Sequence, residues 1–302
     1  MSRYFRIVNR HDRVHIAALL SHQIRAPWLI VVAVLIQLAT PAAAQDVAGR
    51  VMLATAIDRT GRPTVDVGAD DFVIEEGHDE REVLSVRVAD YPIAILIDNG
   101  ASTDTALAAI RQAAARFITR IGQRPVAVGT LADPPQFVAD FDDERAYVLE
   151  RLNAIRSAPS RTLRPLSAVT RAANMIAATE SPFSVVVVIS ARPVDPEEQA
   201  ANERFTPILE SGAAVHVIAL RSADSASAEP IDLLRALADQ TRGQYVPIYA
   251  TASYGIALDR LADTLATQVM IDYMVPAGSS GEDAKIGIRV PGAKVVGLGV
   301  SK

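Results

Sequence analysis

The apolar positions of the chain fall into two regimes. Residues 93–97, 183–189 and 213–220 are nearly continuous apolar runs, the mark of strands buried on both faces. Between them, apolar residues recur every three or four positions, as one face of a helix requires. Leu107, Ile110, Ala114, Phe117, Ile118 and Ile121 form the strongest such set, followed by Leu166, Val169, Ala173 and Ile176, and by Leu258, Leu261 and Leu265. Further helices are predicted around Tyr147, Val148, Leu152 and Ile155, over 197–210 and over 231–240, and the last helix over 254–269. Shorter strands are predicted at 125–131, 136–141 and 244–248. The brief link through Asp133, Pro134 and Pro135 makes the second of these antiparallel to the first.

The two ends of this pattern read differently. Residues 50–57, 71–76 and 82–89 precede it, and 271–275, 286–290 and 295–300 follow it, all as short strands. Neither set alone has enough strands for a stable core, so both are expected to share one β unit. The expected organisation is a leader over 1–44, the first part of the β unit over 45–90, an α/β domain over 91–269, and closing strands over 270–302. The fold class is α/β: a doubly wound, mostly parallel central sheet with helices on both faces, plus the small β unit. The small, polar stretch 222–229 is expected to be mobile, and Gly243 to terminate a helix.

The leader alters the charge. Arg3, Arg6, Arg10, Arg13 and Arg25 precede the apolar stretch 28–38, and Pro41 to Ala44 offers small residues for cleavage, as in a secretory signal peptide. The stretch is shorter than the roughly 20 apolar residues that span a bilayer. Cleavage ahead of Gln45 and an exported, periplasmic or secreted chain are expected; any membrane contact would come through an uncleaved leader. Removing it takes five arginines and Asp12, leaving 25 basic and 34 acidic side chains of the original 30 and 35. Such a balance argues against nucleic acid, which demands a basic surface. There is no cysteine, so disulfides, thiol catalysis and cysteine-held metals are excluded.

Candidate chemistry gathers where the first buried strand ends. Asp98-Asn99-Gly100-Ala101-Ser102 closes that strand and opens the strongest helix. This segment resembles the first metal-site motif of von Willebrand factor type A domains, Asp-x-Ser-x-Ser, with Gly100 in place of the first serine. Segments 56–63 and 70–76 are similar to the β segment preceding the domain in many bacterial members. Segments 241–245 and 268–276 resemble its closing part. The resemblance implies an ion, Mg²⁺ or Mn²⁺, held by three loops. Asp98 and Ser102 match the first loop and Thr162 fits the second, but Ala191 stands where the third should supply an aspartate. Mg²⁺ favours six oxygens and at least one carboxylate. With one carboxylate left, and Arg161, Arg164 and Arg192 in the same loops, the expectation is no tightly held metal or other cofactor.

Enzyme chemistry finds little support. Beyond the leader only His78 and His216 remain; the first belongs to a hairpin tip and the second interrupts an apolar strand. There is no nucleophile elbow, Walker loop or dinucleotide fingerprint. The expectation is a non-enzymatic module that binds a protein partner through Ser102, Arg161, Thr162, Arg164 and Arg192, the arginines accepting a partner carboxylate directly. The alternative is an envelope hydrolase whose carboxylate pair no spacing reveals.

Overall fold

The computed structural model describes residues 47–64, 67–100, 104–131, 134–158, 163–199, 205–221 and 232–301. The 222–229 stretch therefore lies outside the described residues. The central sheet begins with β5 (Ile93–Ile97), followed by α1 (Asp104–Arg120), β6 (Val126–Thr130), β7 (Phe137–Ala139) and α2 (Arg145–Ala154). Then come α3 (Pro165–Ala177), β8 (Val185–Ser190), the short helices α4 (Pro196–Gln199) and α5 (Thr206–Glu210), β9 (Ala214–Leu220), α6 (Leu233–Gln240), β10 (Tyr245–Ile248) and α7 (Ser253–Ala266). The sheet order is β10-β9-β8-β5-β6-β7. All neighbours are parallel except β7, which runs antiparallel to β6, because the link between them is too short for a crossover.

Every residue of β5, β6 and β8 is buried, because helices cover both faces. Alternation along β5 divides the core. Ile93, Ile95 and Ile97 pack with α1, α2 and α7, while Ala94 and Leu96 pack with α3, α5 and α6. All six apolar positions predicted on α1 lie in the first of these layers.

The chain ends build the β unit. β1 (Val47–Ile57), β2 (Phe72–Glu76), β3 (Asp79–Arg81) and β4 (Val83–Val88) precede the central sheet; β11 (Gln268–Pro276), β12 (Lys285–Ile288) and β13 (Lys294–Val300) follow it. They form an antiparallel sheet of order β13-β1-β11-β4 and a second of order β12-β2-β3. Met52, Ala54, Phe72, Ile74, Ile271 and Tyr273 fill the space between the two sheets. The opposite face of β1 presents Val51 and Leu53 to the α/β core, as the two-residue period of a strand dictates.

Of the helix predicted over 197–210, α4 and α5 are helical and residues 200–204 lie outside the described residues. One expectation needs correction. The last helix stops at Ala266, and β11 already begins at Gln268. Gln268 is drawn into the sheet because its carbonyl accepts from the Ala89 amide and its side chain accepts from the buried Tyr91 hydroxyl. Helical spacing around Leu265 does not reveal that competing pairing.

Since β13 zips along β1 from Met52 to Ile57 and β12 pairs with β2, removing residues 277–302 should lower hydrogen-exchange protection across β1 and β2 while sparing β5 and β8. Unchanged protection in β1 would contradict this arrangement.

Candidate functional site

In a doubly wound sheet the strand order reverses where successive connections turn to opposite sides, and ligands sit in the crevice beyond the carboxyl ends of those strands. Here the reversal falls between β5 and β8, which are adjacent. The residues that leave these strands are Asp98, Asn99 and Gly100 on one side and Ala191 and Arg192 on the other.

Asp98 is fully buried, and both of its oxygens are taken. Oδ1 accepts from Arg192 Nη2 at 2.6 Å, from Arg192 Nε at 2.9 Å and from the Gly100 amide at 3.1 Å. Oδ2 accepts from the Ala191 amide at 2.9 Å and from Arg192 Nε at 3.2 Å. The Arg192 side chain is 7% exposed. Charge-assisted, multiply bonded pairs of this kind satisfy a buried carboxylate that would otherwise be costly.

Gly100 is what makes room. A Cβ there would lie 2.3 Å from Arg192 Cζ and within 2.5 Å of both terminal nitrogens, closer than any carbon tolerates. The guanidinium thus lies in the space that a side chain at position 100 would fill. Around it, Ser190 Oγ donates to the Arg192 carbonyl at 3.0 Å, and the Tyr254 hydroxyl donates to the Ser190 carbonyl at 2.7 Å. Burial, with Asp98 nearby, pushes the Tyr254 hydroxyl well above its ordinary range, so it remains a donor. Asn99 donates to the Arg156 carbonyl at 3.1 Å, and its own carbonyl accepts from Ala158. The loop after β5 is thereby tied to the residues following α2.

These contacts decide how far the residues fit a divalent ion. The described ones do not fit one: the Asp98 carboxylate is saturated by N–H donors, position 191 presents an amide donor, and a guanidinium occupies the adjoining space. Among the described residues no cluster of three or more acidic or histidine side chains could hold a metal.

The predicted site residues separate accordingly. Ser102, Arg161 and Thr162 lie outside the described residues. Arg164 is on the surface, its side chain 44% exposed, with Asp195 at 3.4 Å and Glu197 at 3.2 Å. Arg192 departs from expectation: it is no rim residue offering its charge to a partner, because Asp98 engages it internally. The sequence shows an arginine two residues beyond a strand, but it does not show that glycine at 100 opens a path inward. Asp195 joins its loop to the segment that opens α3, through Arg164 and Leu163. Its Oδ1 accepts from the Glu197 amide at 2.9 Å, and its amide donates to the Leu163 carbonyl.

His216 sits on β9, away from this crevice. It is buried, and its Nδ1 accepts from the Gln244 amide at 3.2 Å, so the neutral ring carries its proton on Nε2. Burial lowers its pKa from 6.5 to about 4. Close by, Gly243 meets the Val215 carbonyl so tightly that a Cβ would stand 1.9 Å from the oxygen. Glycine there is required by this approach; the left-handed residue that ends α6 is Arg242, with φ 60°, and not Gly243 as the sequence suggests.

No protein-family profile and no curated protein matches this chain. Solved structures similar to it include a von Willebrand factor type A protein from Catenulispora acidiphila, 13% identical, with TM-score 0.49 over 85% of this chain and 72% of that one. Another is the von Willebrand factor domain of the type V pili tip protein Mfa5 from Porphyromonas gingivalis, 11% identical, with TM-score 0.48 over 59% and 96%. A third is proximal thread matrix protein 1 from the mussel byssus, 10% identical, with TM-score 0.45 over 66% of this chain and half of that one.

Two outcomes are expected. Arg192→Ala leaves a buried carboxylate unpaired and should cost about 3–5 kcal/mol in urea unfolding. Gly100→Ala should be strongly destabilising alone but much less so when added to Arg192→Ala, a non-additivity that distant sites would not show. Separately, the folded state binds fewer protons at His216 than the unfolded chain. Its contribution is therefore complete above pH 6.5 and is lost as pH falls towards about 4. His216→Gln should remove roughly 3 kcal/mol of that acid sensitivity, as measured by unfolding across this interval.

Proposed function

We propose that this chain is an exported, non-enzymatic protein-binding module that recognises its partner through the loops at the carboxyl ends of the central strands, without a metal ion. The observation that carries this reading is the Asp98–Arg192 pair at the switch point. A carboxylate saturated by five N–H contacts has no free lone pair aimed at a substrate and no role as base or nucleophile. The same pair supplies within the chain the positive charge that a bound cation would bring. The crevice is thereby a rigid, internally neutral floor beneath the surrounding loops.

Those loops are held together from below. Leu163 bridges Val194 in parallel, its amide donating to the Pro193 carbonyl at 3.2 Å and its carbonyl accepting from Asp195 at 2.8 Å. Arg164 stands at the surface of this joint, beside the undescribed positions 159–162. Export rests on the basic, apolar and small-residue order of the leader; no helix among the described residues is long and apolar enough to cross a membrane.

The test is capture of envelope or medium proteins on the immobilised chain, with and without a chelator. Retention of the same partner in chelator is expected, with loss on Arg164→Glu combined with Thr162→Ala. The melting temperature should be indifferent to millimolar-scale Mg²⁺, because a ligand stabilises only in proportion to its occupancy. A partner released by chelator, or a clear Mg²⁺-dependent rise in melting temperature, would overturn the metal-independent reading.

A further inference from the structure

We propose a second recognition surface, independent of the upper loops: the groove between α1 and the end of α2, which we infer takes an extended acidic peptide segment of a protein partner. The groove is broad and open, with a volume of about 830 Å³. Four of its ten lining residues are arginines, Arg111, Arg116, Arg120 and Arg156, and none is acidic. In a chain where carboxylates outnumber basic groups, so one-sided a lining is a local reversal of the overall field.

The charges differ in how far they are already compensated. Arg116 and Arg120 reach across to Asp259 and Asp263 on α7. Arg111 spends one nitrogen on the Asn153 and Ile155 carbonyls, at 2.9 and 3.0 Å, which fixes the two walls of the groove against each other. It has no carboxylate partner among the described residues, and neither does the exposed Arg156. A guanidinium carries five N–H donors in a planar fork, so even the paired arginines keep donors for an incoming carboxylate. Of the described arginines on the upper face, Arg192 is paired with Asp98, and Arg164 with Asp195 and Glu197.

Spacing favours an extended peptide. Arg116 and Arg120 are one helical turn apart, about 6 Å along the axis. Alternate side chains of an extended chain recur at about 6.6 Å, so carboxylates at every second position would meet successive guanidiniums. Ala108, Ala115 and Leu149 add apolar surface to the lining that suits peptide side chains and offers nothing to a sugar-phosphate backbone. The overall acidity of the chain also repels a long polyanion, whereas a short acidic segment interacts only with the local arginines.

The probe is a fluorescein-labelled octapeptide of alternating Asp and Ser, read by anisotropy at low salt against the intact chain. Binding is expected, weakening steeply with added salt, and absent for the Lys–Ser counterpart. Arg156→Glu, at an exposed side chain that bonds to nothing described, should weaken it at least tenfold without altering the melting temperature. Arg111→Lys, which keeps the charge but loses the fork, should weaken it less. Arg164→Glu on the upper face should leave it unchanged, which separates this groove from the proposed upper-loop surface. No binding by the unaltered chain, or equal binding by Arg156→Glu, would overturn the proposal. Tighter capture of a single-stranded oligonucleotide or of anionic phosphatidylglycerol vesicles, lost in the same variant, would replace the peptide with a different polyanion.

Discussion

The structure turns on a carboxylate buried where two central strands end. A fully desolvated aspartate must find compensating charge and donors or shift to its neutral form. The donors come from the two loop amides that the strand order brings beside it, and the charge comes from Arg192. Without that guanidinium the two loop amides would still meet at Asp98, but the crevice at the switch point would hold an uncompensated charge. The tightness of the pair rests in turn on the absence of a side chain at Gly100. A single missing Cβ thus governs the electrostatics of the whole upper crevice.

The rest of the architecture keeps the two loops in place. β5 and β8 are hydrogen-bonded neighbours over their full five-residue register, from Ile93 opposite Val185 to Ile97 opposite Ile189, which fixes the departure points of the loops. Tyr254, from the opposite end of the sequence, braces Ser190. The β unit closes the chain from both ends, and its core is continuous with neither face of the central sheet's helical layers. The floor of the crevice is therefore set by paired strands, with Tyr254 of α7 bracing it from one side.

Much of this could be read from the sequence, and the reasons it could are physical. A strand buried on both faces has almost no freedom in composition, so residues 93–97 and 213–220 announce themselves. The α1 stripe was equally plain because it faces a single flat surface. The antiparallel β7 followed from a link too short to cross over. What stayed hidden were competitions between distant groups. Gln268 joins a strand because Ala89 and Tyr91 offer it partners, and nothing within the helix beside it carries that information. Arg192 looked like a surface charge because arginine usually is one. Its inward turn depends on Asp98, Gly100 and Ala191 together, a coincidence across 94 positions of chain. The basic groove is hidden for a related reason: Arg111, Arg116 and Arg120 lie on α1 and Arg156 beyond the end of α2, and they converge only when the two helices pack.

The dependence between Gly100 and Arg192 also bears on how such a loop can change through descent. A chain with this pair reaches an ordinary side chain at 100 and a small residue at 192 only by two substitutions. Taking the first at 100 drives a carbon into the guanidinium, and taking the first at 192 strands the carboxylate. Each route passes through a variant weaker than its neighbours on both sides, and natural proteins have little stability in reserve. The arrangement acts as a ratchet: with Gly100 and Arg192 interlocked over Asp98, neither position is readily changed by single substitutions.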